Sequence, residues 1–356
     1  MKYFFGITII LFLLVGGFVF IVTADRQGHT NAVCSIVFSP DGKRFVTASW
    51  DQTAKIWDTD SGRELLVLRG HTNHLHSAAF SPDSKKIVTA SDDGTVRIWD
   101  ADSGKELHVL AVNTYFAAFS PDGMKIVTCY DRISRIWDVN SGDELHKLEL
   151  QESRASSGLI FFSAVFSPDG NKIATTSGGE IAQICDVDSG EELHKLQHTD
   201  GGISSVVFSP DGTRVVTTGE DKTIRIWDTD SGEELQKLEG HTAEVWSAGF
   251  SSDGTKIVTS SWDVTARIWE VDSGKELQTL RGLRGAVNSA AFLPTDNKKI
   301  VASSGGTVRI WDADSGKVLR KLSGLLMYIS PFAISPDGKK IVTGSGEGYV
   351  RVWELE

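Results

Sequence analysis

Between Gly70 and Asp100 the chain alternates apolar and polar residues in three short runs, broken by turn-forming residues. Leu75 to Phe80, Lys86 to Ala90 and Thr95 to Trp99 each carry the two-residue period of a half-buried strand. Ser81-Pro82-Asp83-Ser84 and Asp92-Asp93-Gly94 supply the turns, and a fourth run, Glu106 to Leu110, follows Asp102-Ser103-Gly104. The pattern predicts four short antiparallel strands. A sheet of that size cannot bury its own faces, so the unit must pack against copies of itself.

The copies are present. The position that closes the third strand falls at Trp57, Trp99, Trp137, Cys185, Trp227, Trp269, Trp311 and Trp353, with spacings of 42, 38, 48, 42, 42, 42 and 42. His29 to Glu356 is 328 residues, or 41 for each of eight units. A fixed period of this length with several strands per unit predicts a propeller, not a helical solenoid.

The openings Gly28-His29, Gly70-His71 and Gly240-His241, with the Trp-Asp closings, make the chain resemble the WD-repeat (G-protein β-like) β-propeller family. The resemblance covers everything after about residue 27. It implies an all-β fold, an eight-bladed β-propeller of four-stranded antiparallel blades, preceded here by one N-terminal hydrophobic (transmembrane or signal) helix. Residues 1–27 form the apolar segment with a short linker, and 28–356 the propeller. The repeats run approximately 29–69, 70–110, 111–148, 149–196, 197–239, 240–281, 282–323 and 324–356.

The resemblance also implies a buried hydrogen-bond chain in each unit, from an Asp to the Gly-His imidazole, to a Ser/Thr of the second strand, to the Trp indole. Its physical reason is independent of kinship: a buried Trp leaves an N–H that needs an acceptor. Four sets are complete: His29, Thr47, Asp51 and Trp57; His71, Thr89, Asp93 and Trp99; His198, Thr217, Asp221 and Trp227; His241, Thr259, Asp263 and Trp269. A His beside an Asp and a hydroxyl invites comparison with a hydrolase triad. Four copies, each aimed at a Trp, point to structure instead, and no catalytic residue is expected.

The other units depart from the pattern. The third, Ala111 to Asp138, has no His and is expected to have a shortened second strand. The fourth has Cys185 for Trp, Gly179 for Asp and the inserted stretch Gln151 to Gly158. The seventh has Leu283 for His and Gly305 for Asp, and the eighth Leu325 and Glu347. The eighth also ends soon after its third strand. The only donor of an outer strand is Thr23 to Gln27, where Asp25 and Arg26 fit poorly, so closure is expected to be weak or made from three strands.

Tyr3 to Ala24 is 22 residues without a charge. As a helix it would rise about 33 Å, enough to cross a bilayer core of about 30 Å. Lys2 precedes it, which favours a single-pass anchor with the propeller outside the cytoplasm. The alternative is a signal peptide cleaved after Val22-Thr23-Ala24, giving a secreted protein.

A net charge of −11 and a pI near 5.3 argue against nucleic acid as a partner. Cys34, Cys129 and Cys185 lie in different units and read as small buried residues, not as a disulfide framework or metal site. Ser-Pro-Asp-Gly turns and Asp-x-Asp/Asn-Ser-Gly turns fall on one propeller face, which is expected to be a ring of carboxylates that repels acidic surfaces. The Asp-x-Asp pairs lack the bidentate Glu and the spacing of a calcium loop.

The opposite face collects Trp50, His74, His76, Asp92, Tyr115, Tyr130, Phe162, Glu220, Glu244, Trp246, Trp262 and Tyr328. The three Trp outside the blade-closing site, Trp50, Trp246 and Trp262, all map there. Large aromatics beside acids suit a partner segment carrying Lys or Arg next to an apolar anchor. His74 and His76 lack a phased third ligand, so no metal or other cofactor is expected. The reading is a monomeric, non-enzymatic scaffold binding protein or peptide partners and tied to the membrane by its N-terminal helix. The alternative is an extracytoplasmic binding protein for a small ligand such as a glycan.

Overall fold

The structure, a computed structural model, describes residues 26–130, 132–150, 163–322 and 331–355. Among these residues the chain forms eight four-stranded antiparallel sheets. In seven of them the strands follow sequence order, as in Val33–Phe38, Arg44–Ser49, Thr53–Asp58 and Glu64–Arg69 of blade one. The second unit runs Leu75–Phe80, Lys86–Ser91, Thr95–Asp100 and Glu106–Ala111, within a residue of the strands that its polarity pattern predicts. The expected N-terminal helix falls on residues outside the described ones. No helix among the described residues is long and apolar enough to cross a membrane.

The eighth sheet closes the ring. Its inner strands are Phe332–Ile334, Lys340–Gly344 and Tyr349–Glu354, and its outer strand is Arg26–Gln27 from the other end of the chain. Arg26 lies opposite Val350 and Gln27 opposite Tyr349. Closure therefore uses four strands, but the last has two described residues against five or six in the other blades. In blade one the residue at the register of Arg26 is Leu68, which is buried. The third unit corrects another expectation. Its second strand, Lys125–Tyr130, has full length, and the inner strand Phe116–Phe119 is the short one.

The core lies between blades, not within them. Val46, Ala48, Ile56 and Leu68 of blade one pack with Leu75, Phe80, Ile87 and Trp99 of blade two, and a similar cluster recurs at each junction. The last joins Val33, Ile36, Phe45 and Trp57 to Val342 and Val350 across the seam of the ring. Burial of both faces of every sheet is what makes so small a sheet stable.

The face carrying the Ser-Pro-Asp-Gly turns is crossed by ion pairs between neighbouring blades. The cation that opens the second strand of one blade reaches an Asp of the next: Arg44–Asp102 at 2.8 Å, Lys125–Asp188 at 3.1 Å, Lys172–Asp230 at 3.1 Å, Arg214–Asp272 at 2.8 Å and Lys256–Asp314 at 3.3 Å. Lys340–Asp60, at 2.7 Å, continues the series across the seam. The aspartates are exposed, so each pair contributes at most about 1 kcal/mol.

Candidate functional site

The four His–Asp–Thr–Trp sets come together in the structure. In blade six Trp269 Nε1 donates to Thr259 Oγ1 at 2.9 Å, His241 Nε2 lies 2.8 Å from the same oxygen, and Nδ1 lies 2.7 Å from Asp263. The matching distances are 2.8, 2.7 and 2.9 Å at Trp57–Thr47–His29–Asp51, and 2.9, 2.8 and 2.9 Å at Trp99–Thr89–His71–Asp93. At Trp227–Thr217–His198–Asp221 they are 2.8, 2.8 and 3.0 Å.

The proton positions follow by elimination. A carboxylate only accepts, so Nδ1 carries the imidazole proton; Nε2 then accepts from the Thr hydroxyl, whose oxygen accepts from the indole. Burial presses the His71 and His241 imidazoles below their ordinary 6.5 despite the carboxylates beside them, which suits the neutral ring this assignment needs. Burial alone would raise Asp93 and Asp263. Hydrogen bonds from Thr95 and Thr265, and from the imidazoles, outweigh it and hold both carboxyls at about 2. Asp51 and Asp221 are held well below the usual range by the same opposition.

Each set ends beside the opposite face. Trp50, Asp92, Glu220 and Trp262 are the residues immediately before Asp51, Asp93, Asp221 and Asp263. Their amides donate to Ala32, His74, Gly202 and Glu244 at 2.9, 2.9, 2.9 and 3.0 Å, so the turn after each second strand is tied to the segment before the first. Asp263 also accepts from the Thr265 hydroxyl at 2.6 Å and the Thr242 amide at 3.1 Å. The buried network thus fixes the turn that presents a rim residue. Thr53, Thr95, Thr223 and Thr265 were missed in the sequence, although Asp-x-Thr recurs in all four complete units.

The rim residues form two patches. In the first, Trp50 stacks on His74 with ring centroids 5.3 Å apart and planes 11° from parallel. His76 meets the edge of Tyr115 at 4.7 Å, and Tyr115 lies 5.6 Å from Tyr130. His76 Nε2 lies 2.8 Å from Asp92 Oδ1. Ser91, Asp92, Asn113, Thr114, Tyr115 and Tyr130 line a cleft of about 170 Å³. Trp50 and Tyr115 are each 43% exposed. In the second patch Trp246 stacks on Trp262 at 5.1 Å with planes 21° apart. Glu244 stands beside them, raised above its ordinary value by burial and by the charge of Glu220. Tyr328 and Phe162 lie outside the described residues.

The incomplete units fail in complementary ways. In blade seven Ala302 stands where the others have Thr, and the fully buried Trp311 indole N–H has no partner among the described residues. In blade four Cys185 stands where the others have Trp, and the buried Thr175 hydroxyl has no partner among the described residues. Blades three and eight keep the last link alone, Trp137 to Thr128 and Trp353 to Thr343, both 2.9 Å. Burial pushes Cys34 and Cys185 up to about 12 and Cys129 to about 11, so none is poised as a nucleophile. Among the described residues no three potential metal ligands cluster.

The repeat geometry has a counterpart among known sequences. The family described as WD domain, G-beta repeat matches residues 21–58, 62–100, 104–138, 190–228, 232–270, 274–312 and 328–354. The chain belongs to the WD-repeat family. The gap between residues 138 and 190 holds the unit in which Cys185 replaces Trp. Apoptotic protease-activating factor 1 of Mus musculus is 53% identical over 36 residues, 10% of this chain and 3% of that protein. The Denticleless protein homolog of Gallus gallus is 48% identical over 46 residues, 13% of this chain and 6% of that protein. These WD-repeat relatives therefore share one or so repeats with the chain and little of their length. The crystal structure of the computationally designed Ika8 protein superposes with a TM-score of 0.78 at 25% identity, covering 93% of this chain and 98% of that one.

Proposed function

We propose that this WD-repeat propeller is a non-enzymatic platform that binds protein or peptide partners on its aromatic rim, carried outside the cytoplasm by its apolar N-terminal segment. The observation that carries the reading is two groups of ring contacts on one face, Trp50 on His74 across blades one and two, and His76 on Tyr115, itself beside Tyr130, across blades two and three. Rigid, half-exposed aromatics on a stiff frame are the residue types that dominate binding energy at protein interfaces. The buried His–Asp–Thr groups are engaged with Trp, which supports a structural role for them.

Affinity capture with full-length protein in detergent tests the platform. Partners retained by the wild type and lost from a Trp50→Ala, Tyr115→Ala double variant support it; partners retained by both overturn the choice of face. Membrane tethering is tested separately, by carbonate washing and by protease access from outside. Recovery in the cytosol with an intact N-terminus would remove that part of the reading. The cleft beside Asp92 and Asn113 supports a second reading, a small polar ligand such as a glycan seated against Tyr115 and Tyr130. Glycan-array binding sensitive to Asp92→Ala would favour it.

A further inference from the structure

We infer that the outer wall of blade seven is a docking site for an acidic segment of a protein partner. This rests on the platform reading above and adds a second surface, separate from the aromatic rim. Repeat seven, 282–323, holds seven Lys and Arg against three Asp. It is the only one of the eight repeats with a cationic surplus, in a chain whose net charge is −11. Two of those cations face one another: Arg309 of the third strand lies opposite Lys321 of the outer strand, Val318–Leu322. Like charges directly opposite on paired strands repel. The same pairing occurs in blades three and five, with Arg135 opposite Lys147 and Arg225 opposite Lys237. There each cation has its own carboxylate. Glu144 lies 3.0 Å from Arg135 and Glu149 2.5 Å from Lys147; Glu234 lies 2.7 Å from Arg225 and Glu239 2.6 Å from Lys237. Blade seven has neither. Val318 stands opposite Trp311, at the register that Glu144 and Glu234 hold opposite Trp137 and Trp227. Ser323 stands at the place of Glu149 and Glu239 in the sequence. Arg309 and Lys321 make no ion pair or side-chain hydrogen bond among the described residues.

The seat of the missing carboxylate is otherwise intact. In blade six, Arg267 Nη1 and Glu276 Oε2 lie 2.7 and 3.2 Å from where a Cβ on Gly240 would stand. At Gly282 the matching guanidinium is in place, with Arg309 Nη1 2.5 Å from that point, and Val318 replaces the Glu. A guanidinium stays charged and can offer two parallel N–H donors to a carboxylate, so it favours an oxyanion over a neutral acceptor. Carboxylates are what these cation pairs take elsewhere in the ring, which commits the site to Asp or Glu side chains of the partner. Val318 is 39% and Leu319 48% exposed, so an apolar residue beside the partner's acids gains by burial there.

The test is a random octapeptide library displayed on phage and selected on full-length protein in detergent. The wild type is expected to enrich peptides with two Asp or Glu beside an apolar residue. Val318→Glu returns the carboxylate that blades three and five carry, so it is expected to fold with an unchanged or higher Tm. It is expected to bind the best acidic peptide about tenfold more weakly than the wild type. Lys321→Gln is expected to weaken that peptide to a similar degree, while the Trp50→Ala, Tyr115→Ala variant leaves its affinity in place. Equal binding of the acidic peptide by the wild type and Val318→Glu overturns the site. Enrichment only of peptides lost in the Trp50→Ala, Tyr115→Ala variant overturns it too and leaves the platform standing. Binding of inorganic phosphate that Val318→Glu abolishes, with no acidic peptide enriched, assigns the wall to a free oxyanion and overturns the peptide. No enrichment of any peptide overturns both readings.

Discussion

Blades six and seven are neighbours with the same strand frame and differ at nearly every polar position that joins core to rim. Blade six has His241, Thr259, Asp263 and Trp269 in one hydrogen-bonded chain. Blade seven has Leu283, Ala302, Gly305 and Trp311 at the same places, and its indole N–H is buried without an acceptor among the described residues. On the rim, blade six presents Trp246 and Trp262, and blade seven has Asn288 in place of Trp246 and a turn one residue shorter after its second strand. The comparison teaches that the network does more than satisfy a Trp. In blade six its Asp also anchors the turn whose preceding residue, Trp262, reaches the rim.

The sharpest way to break the comparison is Asp263→Ala. It removes the acceptor for the His241 imidazole, the Thr265 hydroxyl and the Thr265 and Thr242 amides, leaving buried donors unpaired. A loss of about 3 kcal/mol in chemical denaturation is expected, together with weaker peptide binding at Trp262. A loss below about 1 kcal/mol would show that the turn holds without its carboxylate.

Acidification should separate the two kinds of blade. His71 and His241 lie below 6.5 in the folded protein, so the unfolded chain takes up protons first as pH falls, and stability drops once pH passes below 6.5. Asp93 and Asp263 lie at about 2 against an ordinary 3.8, so their contribution is present above 3.8 and is lost between 3.8 and about 2. Blade seven carries neither His nor Asp at these positions. Amide exchange followed from pH 7 to pH 4 should show blades two and six losing protection relative to blade seven, and an equal loss in all three would contradict the assignment of neutral imidazoles.

Ala302→Thr should repair blade seven in part. Blades three and eight show that a Thr can accept from the Trp without any His, at 2.9 Å in both. Supplying that oxygen to Trp311 is expected to raise stability by about 1 kcal/mol, measured by the denaturation midpoint. A destabilised variant would mean that the core around Leu283 and Ala302 has no room for the hydroxyl.

The strands and the four complete networks were legible in the sequence because each is written in local, phased signals: a two-residue period, turn residues, and His, Thr, Asp and Trp at fixed offsets. The closing strand was legible as a candidate and doubtful for a sound reason, since Arg26 stands where Leu68 is buried in blade one. Other features were not legible. Ala302 looks like any small core residue in an apolar strand, so the orphaned Trp311 shows only in three dimensions. The Arg44–Asp102 and Lys256–Asp314 pairs join residues 58 apart, across a junction that no local pattern marks. The sequence already placed Trp246 with Trp262, and Trp50 with His74, His76 and Asp92, in two patches; it did not show that Tyr115 and Tyr130 join the latter, because the third unit lacks the Gly-His that fixes their register.

The smallest expected effect uses one substitution in two blades. Thr175 and Thr259 occupy equivalent places on their second strands, both fully buried. Thr259 accepts from Trp269 and donates to His241, so Thr259→Val leaves two buried groups unpaired and should cost about 2 kcal/mol. Thr175 faces Cys185 in place of the indole, and its hydroxyl has no partner among the described residues. Thr175→Val replaces that hydroxyl with a methyl of nearly the same shape, ending the desolvation of an unmade hydrogen bond and breaking nothing. A gain of about 0.5 kcal/mol is expected. Opposite signs for the same change would show that the value of the Thr lies wholly in its partners; a matching loss in both blades would mean that the Thr175 hydroxyl is bonded in a way that the fourth blade's geometry does not reveal.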